Sequence, residues 1–203
     1  RYSGDRRLTR SCSFCLHTRL ATALADAEED DVFLTGFEPP TDIVEYAVKK
    51  AYEKNMSVVV NPAPAQDFPE EIYSYIDVFT PNQSEASTLL GKKVDDWKDA
   101  ISMGSLFIDK GVSTSIITLG KEGCVAISDE IKEHFSVETP TDQVVDTTAA
   151  GDSFNAAIAI SLARGEGMAE AANFANRAAS LTTTEHGAQS ALPTNDDVRS
   201  ERK

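Results

Sequence analysis

From residue 30 onward, short β-branched or apolar runs alternate with longer stretches of helical period, and this alternation limits the fold more than any other feature. Residues 32–35 (VFLT) read as a buried strand ending at Gly36. Thr41 sits where it can cap a helix whose apolar stripe is Ile43, Val44, Ala47, Val48 and Ala51. Residues 57–60 (SVVV) form a β-branched strand, halted by the prolines of NPAPA at 61–65. A short helix follows Asp67, then a strand over Val78 to Thr80. Helices are expected over Gln83 to Leu90, with Gly91 at the end, and over Asp95 to Lys110, closed by Gly111. Ser115 to Leu119 is a fourth strand. Cys124 to Ser128 and His134 to Val137 are two more, joined at Asp129-Glu130, and Val144-Val145 is a last short one. Two helices close the pattern, Gly151 to about Arg164 and about Met168 to Thr184. Strands separated by helices of ten or more residues need crossover connections. The expected architecture is therefore α/β, a mainly parallel sheet with helices on its faces.

A chain of 203 residues, 41% of them apolar, can bury one substantial core. Its longest apolar runs are only a few residues, too short for a membrane-spanning helix. The net charge of −14 repels phosphate backbones and argues against general nucleic-acid binding. Three cysteines make no disulfide scaffold and suit a reducing cytoplasm, the expected location. Charge is unevenly spread: Arg1, Arg6, Arg7, Arg10 and Arg19 crowd the first twenty residues against Asp5. That start has no sustained period and no long apolar centre of a signal peptide. Three segments are therefore expected: 1–29, atypical, disordered or foreign; 30–193, the folded domain; and 194–203, a polar tail that frays. Cys12, Cys15 and His17 form CxxCxH, but structural zinc wants four ligands and no partner cluster follows.

The stretch Asp146-Thr-Thr-Ala-Ala-Gly151-Asp152-Ser-Phe-Asn155 carries the most chemistry. Small residues at 149–151 let backbone approach a ligand closely, and a helix starting there presents unpaired N–H groups that bind anions. Asp152 in the first turn would repel a bound phosphate unless it has a task, such as taking a proton from an attacking hydroxyl. Plain stabilisation of a helix N-terminus is the competing account.

Five segments in order resemble the ribokinase-like (pfkB) carbohydrate kinases: NPAPA at 61–65, TPNQSEA at 80–86, TLGKEG at 118–123, VDTTAAGDSFNAA at 145–157 and HGAQSALP at 186–193. The resemblance covers roughly residues 30–193 and implies a three-layer α/β sandwich that transfers the γ-phosphoryl of ATP to a sugar hydroxyl, with O5 of ribose the expected acceptor. It implies Asp152 as the catalytic base and the amides around Ala149, Ala150 and Gly151 as the anion hole. No GxxxxGK[ST] occurs, so the anion hole takes the place of a Walker loop. By the same resemblance, Asn82 touches the ATP phosphates and Glu85 a magnesium-bound water. Thr118, Leu119, Gly120, Lys121, Glu122 and Gly123 form the nucleotide loop, and Asn176 lies beside the adenine. Glu38 and Asp152 meet the sugar. A potassium ion is implied at Asp146, Thr148, Thr182, Glu185, Gly187 and Ala191, mostly through carbonyls, with Ala191 in place of a hydroxyl residue. Each has a plainer account: Asn82 and Glu85 a helix start, TLGKEG a hairpin turn, Asn176 an exposed helix residue, Glu38 a loop glutamate, Cys124 a core residue. The family's GGxGxN loop, substrate-binding aspartate and sugar-covering lid have no counterpart here. The chain is thus expected to be an N-terminally truncated form, and a homodimer is expected of the intact enzyme rather than of this chain. A non-catalytic nucleotide-binding fragment is the rival reading. A Rossmann dehydrogenase is disfavoured because no GxGxxG follows an early strand.

Overall fold

The computed structural model describes residues 16–137 and 144–200. Six strands form one sheet in the order β1 (Val32–Thr35), β2 (Ser57–Val60), β3 (Val78–Phe79), β4 (Thr114–Thr118), β5 (Cys124–Ile127) and β6 (Lys132–Phe135). The pairs from β1 to β4 are parallel; β4–β5 and β5–β6 are antiparallel. The expected mainly parallel sheet is thus present, ending in a hairpin meander at one edge.

Strand periodicity decides which helices cover which face. Val58, Val60, Ile117, Val125 and Ile127 point to one side, while Val59, Ile116, Cys124 and Ala126 point to the other. The first side is covered by α1 (residues 16–23), α2 (Thr41–Glu53), α3 (Gln83–Leu90) and α4 (Trp97–Asp109), with a 3₁₀ turn at Glu70–Tyr75. Val44, Val48 and Ala51 of the expected α2 stripe are buried in this layer with Phe79 and Phe107. The second side is covered by α5 (Ala150–Ala163), α6 (Met168–Thr182) and α7 (Asn195–Arg199). Small residues let α6 lie close: Ala171, Ala172 and Ala175 are fully buried against Phe154 and Ile158. This is a three-layer α/β sandwich. Among the described residues no helix is long and apolar enough to cross a membrane.

Several expectations need correction. Thr41 begins α2, but Pro40 holds the cap position and no side chain caps the helix. The strand expected at His134 to Val137 lies two residues earlier, because its register is set by pairing with β5 across the turn. Val144-Val145 is not a strand. Both residues are exposed, and the N–H of Val145 donates to the carbonyl of Thr183 at the end of α6. Of the segment expected to stand outside the fold, α1 instead packs Leu20, with Leu24 just after it, into the first layer. Residues 1–15, Cys12 and Cys15 among them, lie outside the described residues. The tail expected to fray holds α7, started by a reciprocal cap between Thr194 and Asp197 and anchored by buried Val198.

Candidate active site

Parallel strands bring their carboxyl ends to one edge, where open α/β sheets form ligand crevices. Here that edge collects Gly36 and Glu38 after β1, Asn61 after β2, Thr80 to Asn82 after β3, and Leu119 to Gly123 after β4.

The start of α5 is set by a left-handed turn. Ala149 occupies the cap position with φ 62°, a left-handed conformation that costs a residue with a Cβ roughly 1–2 kcal/mol. The Ala150 N–H donates to the Thr147 carbonyl at 3.3 Å, while the next N–H groups of the first turn, those of Gly151 and Asp152, have no carbonyl within the helix to take them. Gly151 faces open space, with nothing within 4 Å of where a Cβ would stand. Asp152, one residue on, is exposed in the first turn. Behind it Phe154 and Asn155 are buried.

Opposite lies the loop after β4. The N–H of Leu119 donates to the carbonyl of Gly123 at 2.7 Å, closing a 3₁₀ turn over Gly120–Glu122. Gly123 has φ 88°, and a Cβ there would stand 1.9 Å from the Phe135 carbonyl oxygen, so this position admits glycine. His134 Nε2 lies 2.7 Å from the Glu122 carbonyl oxygen, and its ring stacks on Trp97 at 5.5 Å with an interplanar angle of 4°. Neither residue was singled out from sequence, since His134 reaches the loop, and Trp97 reaches His134, only across elements.

Between these two structures is a cavity of about 390 Å³. Of the expected residues, Thr118, Gly120, Lys121, Gly123, Ala150, Gly151 and Asn176 line it, joined by apolar walls from Val137, Val144, Phe154 and Ala179 that the sequence did not reveal. Leu119 turns its side chain into the first core layer and offers only backbone, while Glu122 is exposed. Asn176 is buried, not an exposed helix residue; its Nδ2 donates to the Phe135 carbonyl at 2.9 Å. Cys124 is the expected core thiol, its pKa pushed up to about 12 by burial.

Asn82 and Glu85 form a reciprocal cap on α3. Asn82 Oδ1 accepts from the Glu85 N–H at 2.9 Å, while Glu85 accepts from the Asn82 N–H and Nδ2, each at 2.8 Å. Burial pushes the Glu85 carboxyl up, and the two Asn82 bonds pull it back. A bridge between Asn82 and Thr118 sets this cap beside the loop. Glu38 is exposed at the end of β1, its carboxylate folded over Gly36, where a Cβ would stand 2.1 Å from Oε2.

Asp146 joins two distant turns. Oδ1 accepts from the Thr148 N–H at 2.9 Å and Oδ2 from the Gly187 N–H at 3.1 Å. Bonding by the Thr148 side chain, then by these two N–H groups, holds its carboxyl down at about 2. Thr182 is buried with its hydroxyl donating to the Ala178 carbonyl, Ala191 is buried, and Glu185 is exposed. What these residues could offer a cation is oxygen, chiefly carbonyl oxygen, as a hard ion prefers. No group of three or more His, Cys, Asp or Glu that could hold a metal occurs among the described residues.

Comparison with known proteins fits this geometry. A family model described as pfkB family carbohydrate kinase matches residues 38–195. Ribokinase of Haemophilus influenzae is 39% identical over 174 residues, which cover 86% of this chain and 56% of that protein. The crystal structure of ribokinase from Thermotoga maritima aligns with a TM-score of 0.73 at 34% identity, over 83% of this chain and 55% of that one. The structure of Arabidopsis thaliana ribokinase complexed with ribose and ATP aligns with a TM-score of 0.77 at 28% identity, over 82% and 54%. The chain thus spans about half the length of the relatives it matches.

Proposed function

The chain belongs to the pfkB family of carbohydrate kinases, and from that membership we propose that its site serves transfer of the γ-phosphoryl group of ATP to a sugar hydroxyl, with O5 of ribose as acceptor. The observation that carries the reading is the cavity itself. One wall holds Ala150 and Gly151 at the start of α5, next in the chain to Asp152, and the other holds Gly120 and Gly123 of the loop after β4.

The steps follow from these groups. The triphosphate lies along the cavity between Thr118 to Gly123 and the start of α5, its base among Val137, Val144, Phe154 and Ala179. The Asp152 carboxylate accepts the proton of the acceptor hydroxyl as that oxygen attacks the γ-phosphorus. The bond from phosphorus to the bridging oxygen breaks and ADP leaves, while the Gly151 N–H at the start of α5 holds charge on the transferring group, the Ala150 N–H being shared with the Thr147 carbonyl. Magnesium bound with the nucleotide would neutralise phosphate charge; Glu85, fixed by Asn82, would hold one of its waters. The oxygen donors around Asp146 would suit potassium, which carbonyls from Thr148, Thr182, Glu185, Gly187 and Ala191 would help to hold.

Ribokinase relatives and the ribose in the Arabidopsis complex support the choice of acceptor. A second reading, a nucleotide-binding protein without turnover, is favoured by a specific observation. Beyond Asp152, Glu38 is the one residue of the expected set assigned to the sugar, and it is exposed three residues past the edge strand β1. Calorimetry with ATP and magnesium tests both readings, with expected affinity roughly high-micromolar to millimolar. No binding at millimolar ATP refutes both. A coupled ADP-release assay over a sugar panel separates them. The 203-residue chain is expected to fall below about 1 s⁻¹, the lower end for kinases. Any sugar-dependent turnover it supports should drop about 10²–10⁴-fold in Asp152→Asn with ATP binding retained, and a loss under about threefold removes Asp152 as base.

A further inference from the structure

Three of the sequence motifs meet at one buried point beneath the site. Thr80, the residue after β3, is 1% exposed. Its hydroxyl lies 2.6 Å from Asn155 Oδ1 and 3.3 Å from the Val60 carbonyl, so its single proton goes to Asn155. The Thr80 carbonyl accepts from Asn61 Nδ2 at 2.7 Å. Asn155 is 5% exposed and stands three residues beyond Asp152, nearly one turn along α5. Thr80 stands two residues before Asn82, the cap of α3. A side-chain bond across 75 residues therefore ties the start of α5 to the start of α3.

Stability alone does not call for this pair. An apolar pair of the same shape is about as stable as a buried hydrogen bond, while losing one partner strands the other. What a directional bond adds is a fixed separation, because a satisfied buried network specifies one arrangement. We propose that Thr80 and Asn155 are positioning residues: their bond sets the gap between the Asp152 end of α5 and the Asn82–Glu85 end of α3. Through that gap it sets the site's preference for a nucleoside triphosphate over a diphosphate. The inference rests on the nucleotide reading above. On that reading a diphosphate is held by the cavity, whose lining includes the start of α5, and a third phosphate reaches toward Asn82, which its bridge to Thr118 sets beside the loop.

The test measures dissociation constants of ADP and of a non-hydrolysable ATP analogue, each with magnesium, for the wild-type chain, Thr80→Val, Thr80→Ser and Asn155→Ala, alongside thermal unfolding. Thr80→Val and Asn155→Ala should weaken the triphosphate analogue about 10-fold and leave ADP within about twofold, and Thr80→Ser should restore the preference. If Thr80→Val does not fold, Asn155→Gln, which moves the amide by one methylene, carries the same comparison. A purely structural role would weaken both nucleotides alike or neither, and either result overturns the proposal. Equal wild-type affinities for the two nucleotides also overturn it while leaving the nucleotide reading intact. A wild-type chain that binds neither overturns both.

Discussion

Replacing Gly123 by alanine tests the nucleotide loop most sharply, because Gly120, three residues earlier, provides an internal control. Both have positive φ, 57° at Gly120 and 88° at Gly123. At Gly120 a Cβ meets nothing within 4 Å. Alanine there carries only the left-handed cost of roughly 1–2 kcal/mol, offset by about 0.4–1 kcal/mol from a stiffer unfolded chain. At Gly123 the backbone, at ψ −128°, lies where glycine has little company. Strain of about 1–3 kcal/mol adds to contact at 1.9 Å with the Phe135 carbonyl oxygen and 3.0 Å with its carbon. Both atoms are backbone, so β6 must retreat and strain its pairing at Cys124↔Phe135, costing about 1–3 kcal/mol for each backbone bond lost. Gly120→Ala should thus lose less than about 1.5 kcal/mol, and Gly123→Ala about 3 kcal/mol or more. In urea, with a slope near 2 kcal/mol/M, the second loss moves the unfolding midpoint down by about 1.5 M. Equal midpoints for the two variants would refute the packing of this loop against β6.

Three further outcomes follow from the geometry. Phe107→Ala, whose ring is fully buried against Phe79 at 4.9 Å, should cost about 3–5 kcal/mol in denaturant unfolding. Ala149→Gly should stabilise the chain slightly, by about 0.5 kcal/mol, as release of the left-handed strain outweighs the added freedom of the unfolded glycine; a loss above about 1 kcal/mol would contradict the strain assigned there. Asp146 has its folded pKa depressed to about 2, so its contribution is fully present above its unfolded pKa near 3.8 and is lost as pH falls through 2. Stability of the wild type should therefore fall more steeply than that of Asp146→Asn between pH 4 and 2, and parallel acid-unfolding curves would show that these bonds do not hold the carboxylate.

Local pattern revealed those elements whose own residues decide their conformation. The β2 run SVVV, the stripe of α2 and the Gln83–Leu90 span of α3 lie where the sequence places them. Elements fixed by a neighbour were shifted or misread. The residues of β6, KEHF, have no apolar alternation of their own, so pairing with β5 sets their register. Val144 and Val145 have strand-like side chains, but Thr183 takes the N–H of Val145. The cap that starts α7 was visible as Thr194 followed three residues later by Asp197, yet the polar composition of the tail outweighed it. In the site, motif residues at strand ends were legible because a parallel sheet gathers them at one edge. The contacts of Thr80 with Asn155 and of His134 with Glu122 were not, since they join residues 75 and 12 positions apart with no periodic signature.

The two halves of this sheet differ in how far the chain must travel to complete them. β4, β5 and β6 follow one another within residues 114–135, whereas α5 packs on β1 across more than a hundred intervening positions. Closing a long loop costs entropy before its contacts reward it, so sequence-local pairings form first. The loop after β4 therefore takes shape with the early meander, and the wall carrying Asp152 docks late. Substitutions at Val125 or Ile127 should slow refolding, while those at Ile158 should chiefly hasten unfolding, a division that stopped-flow measurements on the two sets would expose. A ligand bridging both walls then acts as a kinetic latch, holding the last-docked layer shut.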